Sequence, residues 1–206
     1  DGYSITTYKS NLYCPDLLSS NNIFCVAEDS CHRLWIGTYS GLNVLDKRTG
    51  EVRKIENAEL SGTGISQVLV TSDQRILFGT EIGLYEYKEI DNSFLAYDTS
   101  NTGGGFPRAT IKSLFEDDRG DIWIGIWNSG LYRYEKKTGK YWKYPKMNSG
   151  NSAHVVFQDS YKNIWVGTWG SGLHLLHNAY DPERTTWTTF THNEKQPYTI
   201  SDNLIY

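Results

Sequence analysis

The sequence has no long apolar segment, no sustained helical pattern and no cluster of basic residues. None of its apolar runs approaches the ~18 residues that a membrane-spanning helix needs, so we do not expect these 206 residues to cross a bilayer. Apolar residues at i, i+3, i+4 and i+7 are not sustained, which argues against amphipathic helices. The formal net charge is -4, and the scattered Lys and Arg residues give no basic patch, so nucleic acid is not an expected partner.

Cysteine is also scarce. The three cysteines, Cys14, Cys25 and Cys31, are too few and odd in number for a disulfide framework. The pattern described below places Cys25 in a strand and Cys31 in the following turn, which is a poor geometry for a bridge. We therefore expect reduced thiols, an expectation that leaves the cellular compartment open.

Aromatic residues and glycine, in contrast, are abundant. The chain has 7 Trp, 15 Tyr and 7 Phe, which can bury a large apolar surface and make a disordered chain improbable. Together with 19 Gly and a single Met, this composition favours short strands joined by turns over helical bundles.

One sequence unit occurs four times. Its marker glycines lie 42, 46 and 42 residues apart, at Gly37, Gly79, Gly125 and Gly167. Each follows an apolar strand-like run and a turn, and each precedes a Gly-Leu pair and two further strand-like runs. Eight residues before the glycines stand Asp29, Thr71, Asp117 and Asp159. A repeat of ~40–50 residues with four strands is typical of a propeller blade.

The predicted fold is therefore all-β, a β-propeller of four-stranded antiparallel blades. We place the blades at residues 9–56, 57–98, 99–145 and 146–191. Residues 1–8, which include Tyr3, are predicted to form the outer strand of a preceding blade, and residues 192–206 the entry to a following one. Because an arc of four blades would expose two apolar flanks, we expect a partial β-propeller, a segment of a larger ring.

Two copies of the unit carry a family resemblance. Residues 115–125 (FEDDRGDIWIG) and 164–173 (IWVGTWGSGL) resemble the two-component regulator propeller repeat. In the second copy, Thr71 replaces the Asp, and we interpret Phe78 as the replacement for the Trp. The resemblance implies a seven-bladed ring in the periplasmic sensor region of a hybrid two-component histidine kinase. It further implies a homodimer that responds to an oligosaccharide or polysaccharide fragment and is tethered to the inner membrane by other parts of the chain.

The candidate ligand site is the propeller face that carries the inter-blade loops and the loops between second and third strands. Aromatic rings there can cover the C–H face of a sugar, while polar groups bond its hydroxyl or acidic groups. The alternative for each residue is packing between loops or a subunit contact. No metal, cofactor or catalytic residue is predicted. The candidate binding residues are Tyr39, Glu81, Arg108, Lys112, Trp127, Asn128, His154 and Trp169.

The residues that recur inside the unit are predicted to be structural. Trp35, Trp123 and Trp165 hold the same position in a strand, which favours packing between blades. The repeated Asp is expected to accept hydrogen bonds from turn N–H groups.

Two other functions remain open from the sequence. The first is a propeller glycosidase or lyase, since the segment 118–123 loosely resembles the Asp-box hairpin of sialidase-type propellers. That match fails at Glu116 and Ile122, where the Asp box has Ser/Thr and Thr. The second is a protein-interaction propeller without a small ligand.

Overall fold

The computed structural model describes residues 5–10, 17–56, 60–98, 100, 106–145 and 152–206. These residues form sixteen β-strands and no α-helix. Blade 1 contains β1 (Ile23–Glu28), β2 (Arg33–Thr38), β3 (Gly41–Asp46) and β4 (Val52–Ile55). Blade 2 contains β5 (Ile65–Val70), β6 (Ile76–Thr80), β7 (Leu84–Lys88) and β8 (Ser93–Tyr97). Blade 3 contains β9 (Ile111–Glu116), β10 (Ile122–Ile126), β11 (Gly130–Glu135) and β12 (Lys140–Lys143). Blade 4 contains β13 (Ala153–Gln158), β14 (Ile164–Thr168), β15 (Leu173–His177) and β16 (Thr186–Phe190).

Each blade is an antiparallel meander whose four strands pair in chain order. The first strands of successive blades lie against one another, β1 beside β5, β5 beside β9 and β9 beside β13. The blades are therefore arranged side by side with their first strands innermost, which confirms the predicted all-β propeller architecture. Every strand falls inside the interval predicted for its blade.

The marker glycines are the points of closest approach between blades. A Cβ on Gly37 would lie 2.8 Å from the carbonyl oxygen of Ile65, and one on Gly79 would lie 2.6 Å from the Cβ of Ile111. Ile65 and Ile111 are the first residues of the next blade's inner strand. Any larger residue would therefore push two blades apart, which explains why glycine recurs at this position.

The repeated Asp links the first turn to the core of its blade. In Asp29, Asp117 and Asp159, Oδ1 accepts two backbone N–H groups of the turn at 2.9–3.0 Å, which confirms the predicted turn bonds. Oδ2 accepts the indole N–H of the tryptophan six residues later, at 2.8 Å in all three blades. This second bond was not predicted. It gives each indole N–H the partner that a largely buried donor requires.

The second blade corrects one prediction. Leu77, and not Phe78, occupies the tryptophan position, because Leu77 pairs with Leu69 as Trp35 pairs with Ala27. Phe78 instead faces blade 1 and packs in the same cluster as Trp35. Thr71 has no carboxylate to accept an indole N–H at this point, so an apolar Leu avoids an unpaired buried donor.

The flank of blade 1 is covered only in part. Tyr8 packs against the cluster of Ile36, Leu45 and Val52. Residues 5–8 form no strand, and the assignment of residues 1–8 to the outer strand of a preceding blade stays a prediction. Residues 1–4, which include Tyr3, lie outside the described part.

At the other end of the chain, residues 203–205 lie against blade 4. Leu204 forms an isolated β-bridge with Trp169. A Cβ on Gly167 would lie 2.8 Å from the Cβ of Ile205, the contact that Ile111 makes at Gly79. Ile205 thus takes the place that the first residue of an inner strand takes in the other blades.

Cys25 and Cys31 are free thiols in β1 and in the turn after it, and Cys14 lies outside the described residues. Burial raises the pKa of the Cys25 thiol to about 11. Cys25 is therefore a small packing residue between blades 1 and 2, protonated at neutral pH.

A Gly125→Ala substitution should destabilise the protein by about 1–3 kcal/mol, because the new Cβ would lie 2.6 Å from the backbone oxygen of Ala153. The matched control is Gly64→Ala, whose Cβ would come no closer than 3.4 Å to its neighbours. Chemical denaturation of the two variants and the wild type measures the difference. Equal stability of both variants would contradict the blade-contact role of Gly125.

The indole bond also predicts acid sensitivity. The hydrogen bond from Trp165 lowers the pKa of Asp159 below its ordinary value. A depressed carboxyl pKa stabilises the fold above the unfolded pKa of ~3.9, and this stabilisation is lost as the pH falls toward the folded pKa.

Trp165→Phe keeps an aromatic ring and removes the indole N–H donor, so the pKa of Asp159 in the folded state should rise. The acid limb of the stability curve should then move to higher pH, as measured by urea unfolding between about pH 2.5 and 7. An unchanged acid limb would show that the bond does not stabilise the ionised carboxylate.

A candidate ligand-binding mouth

A β-bulge interrupts the inner strand of every blade at its second residue. The pairing skips from Ile65 to Gln67 in β5 and from Ala153 to Val155 in β13, and β1 and β9 have the same irregularity. A bulge leaves its extra residue out of the ladder and re-aims the side chain, and bulges are enriched near functional sites. The four bulge residues are Phe24, Ser66, Lys112 and His154, and all four line one cavity.

A second set of equivalent residues stands two positions after each marker glycine, in the loop between the second and third strands. These loop residues are Tyr39, Glu81, Trp127 and Trp169. We refer to the four bulge residues and these four loop residues together as the mouth. Because both sets recur at fixed positions, the blade geometry gathers them on one face.

The mouth contains a continuous group of rings at blades 3 and 4. The Trp127 and Trp169 ring centroids are 5.7 Å apart, with an edge-to-face angle of 66°. His154 lies 5.5 Å from Trp169, and Tyr206 lies 6.4 Å from Trp169 and 6.3 Å from His154. Trp169 is 47 % exposed, so part of its ring is open to a ligand.

Beside these rings lies a cavity of about 270 Å³, which is large enough for a single sugar ring. Glu81, Thr110 and Gln67 line it together with the four bulge residues. The Lys112 ammonium lies 5.3 Å from the centroid of Trp127. At the blade 1 edge, Phe24 and Tyr39 are in edge contact at 6.3 Å. The cavity thus combines hydrogen-bonding groups of both charges with aromatic walls.

His154 is held in its neutral form near pH 7. Burial lowers the pKa of this imidazole, and the positive charge of Lys112 lowers it further. Within the described chain, neither ring nitrogen of His154 has a hydrogen-bond partner. A neutral imidazole has one donor and one acceptor, so His154 can bond a hydroxyl group in either direction.

Two of the candidate residues, Arg108 and Asn128, lie outside the mouth. The backbone N–H of Asn128 donates to Ser152 Oγ at 3.0 Å, and this bond joins the loop of blade 3 to the entry of blade 4. Arg108 donates to the hydroxyl of Tyr85 at 3.2 Å. Both residues therefore make loop contacts, the alternative considered for every candidate.

A larger cavity of about 510 Å³ opens beside blade 1, between Ser40 and Lys54 on one side and Ser61 on the other. The described residues that line it include no aromatic side chain. It therefore offers no stacking surface for a sugar ring, and the mouth is the better candidate.

Sequence comparison identifies the repeats. The family described as "Two component regulator propeller" matches residues 17–40, 105–128 and 148–170, and each match runs from a blade entry through its marker glycine to the mouth. Blades 1, 3 and 4 thus each carry a stretch that matches the two-component regulator propeller family. This agreement confirms the resemblance drawn from the residues 115–125 and 164–173.

Proteins similar to this chain include a histidine kinase. The protein named "Histidine kinase P4" of Formosa agariphila is 28 % identical over 142 residues, which are 65 % of this chain and 10 % of that protein. The chain thus spans about a tenth of the length of its curated relative.

Solved structures show the same fold. The extracellular domain of a hybrid two-component system protein of B. thetaiotaomicron matches with a TM-score of 0.73 at 20 % identity, over 97 % of this chain and 25 % of that one. Virginiamycin B lyase of Staphylococcus aureus matches with a TM-score of 0.65 at 14 % identity, over 84 % of this chain and 56 % of the enzyme. At these identities the similarity establishes the fold alone. The described part of the chain contains no helix with the length and apolarity that crossing a membrane requires.

Lys112→Met should raise the pKa of His154, because it removes a positive charge that opposes protonation while leaving a side chain of similar length. Titration of the His154 ring protons by NMR in the wild type and the variant measures the change. His192, whose ring bonds the Ile200 carbonyl far from Lys112 in the sequence, is the internal control. An unchanged His154 titration would show that Lys112 does not act on the imidazole.

Proposed function

We propose that the four blades belong to the ligand-sensing propeller of a hybrid two-component histidine kinase, and that the mouth binds an oligosaccharide in the periplasm. The observation that carries this proposal is the ring group of Trp127, Trp169 and His154 beside a sugar-sized cavity with both polar and apolar lining. The family match and the similarity to extracellular domains of two-component systems support a sensor role.

The aromatic rings supply the contact area that a sugar needs. One tryptophan face covering about 80 Å² contributes about 2 kcal/mol at ~25 cal/mol per Å², before the cost of ordering is subtracted. A single ring is therefore insufficient for useful affinity. Trp127 and Trp169 provide two such surfaces, and Glu81, Gln67 and Lys112 provide hydrogen bonds that fix the orientation of the ligand.

We further propose that the blades form part of a larger ring. The outer flank of blade 4 has an apolar groove of about 330 Å³ lined by Val155, Phe157, Trp165 and Leu173. Phe157 is 56 % exposed there, although the equivalent Phe115 of blade 3 is covered by blade 4. A further blade would bury this surface in the same way.

Signal transfer does not require chemistry in the mouth. A ligand that binds one arrangement of blades or subunits more tightly shifts the population toward that arrangement, and a kinase elsewhere in the protein can respond to the shift. We propose that the sensor acts as a homodimer, since a dimer interface gives the population shift two arrangements of subunits.

A propeller lyase or glycosidase is the second candidate, favoured by the position of the neutral His154 in the mouth and by the fold similarity to virginiamycin B lyase. A glycosidase requires two carboxyl groups across the cleft. Among the described residues that line the cavity, Glu81 is the only carboxylate. A third candidate, a propeller that binds a protein without a small ligand, would also use exposed rings.

Calorimetric titration of the full-length protein with a panel of oligosaccharides tests the proposal. Trp127→Ala and Trp169→Ala should each weaken binding about tenfold or more, because each removes one stacking surface. Tyr161→Ala is the matched control, since Tyr161 is an exposed aromatic residue in the first turn of blade 4, away from the mouth.

The outcomes separate the three candidates. Binding without conversion of the sugar supports the sensor, and sustained release of product would establish an enzyme instead. If no oligosaccharide binds while a protein partner does, and the tryptophan variants abolish that interaction, the protein-interaction function replaces the proposed one.

A further inference from the structure

We propose that the mouth selects a sugar unit that carries an anionic group, a carboxylate or a sulfate ester, and that Lys112 binds this group. The inference rests on the function proposed above and names the substrate class of the same site.

Lys112 presents an unpaired positive charge to the cavity. It is partly buried at the bulge of β9, and among the described residues no Asp or Glu oxygen lies within ion-pair distance of its ammonium. Two lysines at the opposite end of the blades do have ion-pair partners. Lys136 pairs with Asp73, and Lys162 pairs with Asp118. No described carboxylate plays this role for Lys112.

The ring of Trp127 restricts where Lys112 can lie. The ammonium stands 5.3 Å from the ring centroid, a cation–π distance that holds the charge beside the stacking surface. A sugar that stacks on Trp127 would therefore place its ring substituents close to the ammonium. Charge-assisted bonds from ammonium to carboxylate or sulfate are about twice as strong as neutral ones.

Glu81 is the second charged residue that lines the same cavity. Its carboxylate forms no ion pair with Lys112, while its backbone oxygen accepts the hydroxyl of Thr110 at 3.0 Å and so joins its loop to the entry of blade 3. The two opposite charges are thus available to different parts of one ligand. A carboxylate accepts hydroxyl donors and repels anions, so Glu81 suits the hydroxyl side of the sugar and Lys112 the anionic side.

The experiment compares matched anionic and neutral probes on the full-length protein by calorimetry. The probes are an oligogalacturonate, its uncharged methyl ester, a sulfated galacto-oligosaccharide and its unsulfated parent. We expect an anionic probe to bind at least about tenfold more tightly than its neutral match. The carboxylate and sulfate arms show which anionic group is preferred.

Lys112→Met should weaken binding of the anionic probe at least about tenfold more than it weakens binding of the neutral probe, whereas Lys112→Arg should keep most of the difference between them. A second readout is independent of affinity. The charged groups that face His154 from the cavity are Lys112 and Glu81, so an anion bound at Lys112 should raise the pKa of His154 in an NMR titration, and a neutral probe should not.

Two failures are distinguishable. If a neutral probe binds as tightly as its anionic match, or if Lys112→Met weakens both equally, Lys112 only packs on Trp127 and the inference is overturned while the sensor function stands. If none of the probes binds, the proposed oligosaccharide function fails together with the inference.

Discussion

The absence of a side chain at the marker glycines is the constraint on which the rest of the structure depends. It allows the first residue of each inner strand to contact the backbone of the preceding blade, and this contact sets the distance between blades. The bulge residue comes directly after that contact, so its side chain is carried to the same face in every blade. The position of the mouth therefore follows from how the blades pack. The residue types at its bulge and loop positions differ from blade to blade without disturbing that packing.

The hydrogen bond from indole to aspartate stabilises the other side of blades 1, 3 and 4. It joins the first turn to the tryptophan that faces the following blade, so that a buried polar donor is satisfied where two sheets meet. Blade 2 lacks both partners and uses Thr71 and Leu77 in their places. Removing donor and acceptor together costs little, whereas removing one of them would leave the other unpaired.

Much of this fold could be predicted from the sequence, because the glycine spacing and the turns repeat in four copies. The error at Phe78 arose because the residue type was matched instead of the distance to Gly79, which places Leu77 at the tryptophan position. In the mouth, Lys112, His154, Trp127 and Trp169 were found from their positions in the repeat.

Other members of the mouth were not found in the sequence, although they occupy equivalent positions. Phe24 and Ser66 correspond to Lys112 and His154, but residue types differ there and a bulge is a property of backbone pairing that composition does not reveal. Tyr206 contributes a ring through the contact of Ile205 with Gly167, which depends on packing. Asn128 and Arg108 were chosen for their polar side chains. In the structure the Asn128 side-chain oxygen accepts a hydrogen bond from Ser152, and Arg108 donates one to Tyr85 of β7.

The account as a whole requires that blades meet through one repeated interface and that the exposed flank of blade 4 is such an interface. Hydroxyl-radical footprinting of the full-length protein, read by mass spectrometry, measures this directly. We predict that Phe157 and Phe190 are oxidised far more slowly than Tyr161, which is 85 % exposed at the first turn of the same blade. The exposed fractions of Phe157 and Phe190 in these four blades, compared with that of Tyr161, give the oxidation rates expected for an uncovered flank. Rates that fast would contradict the account.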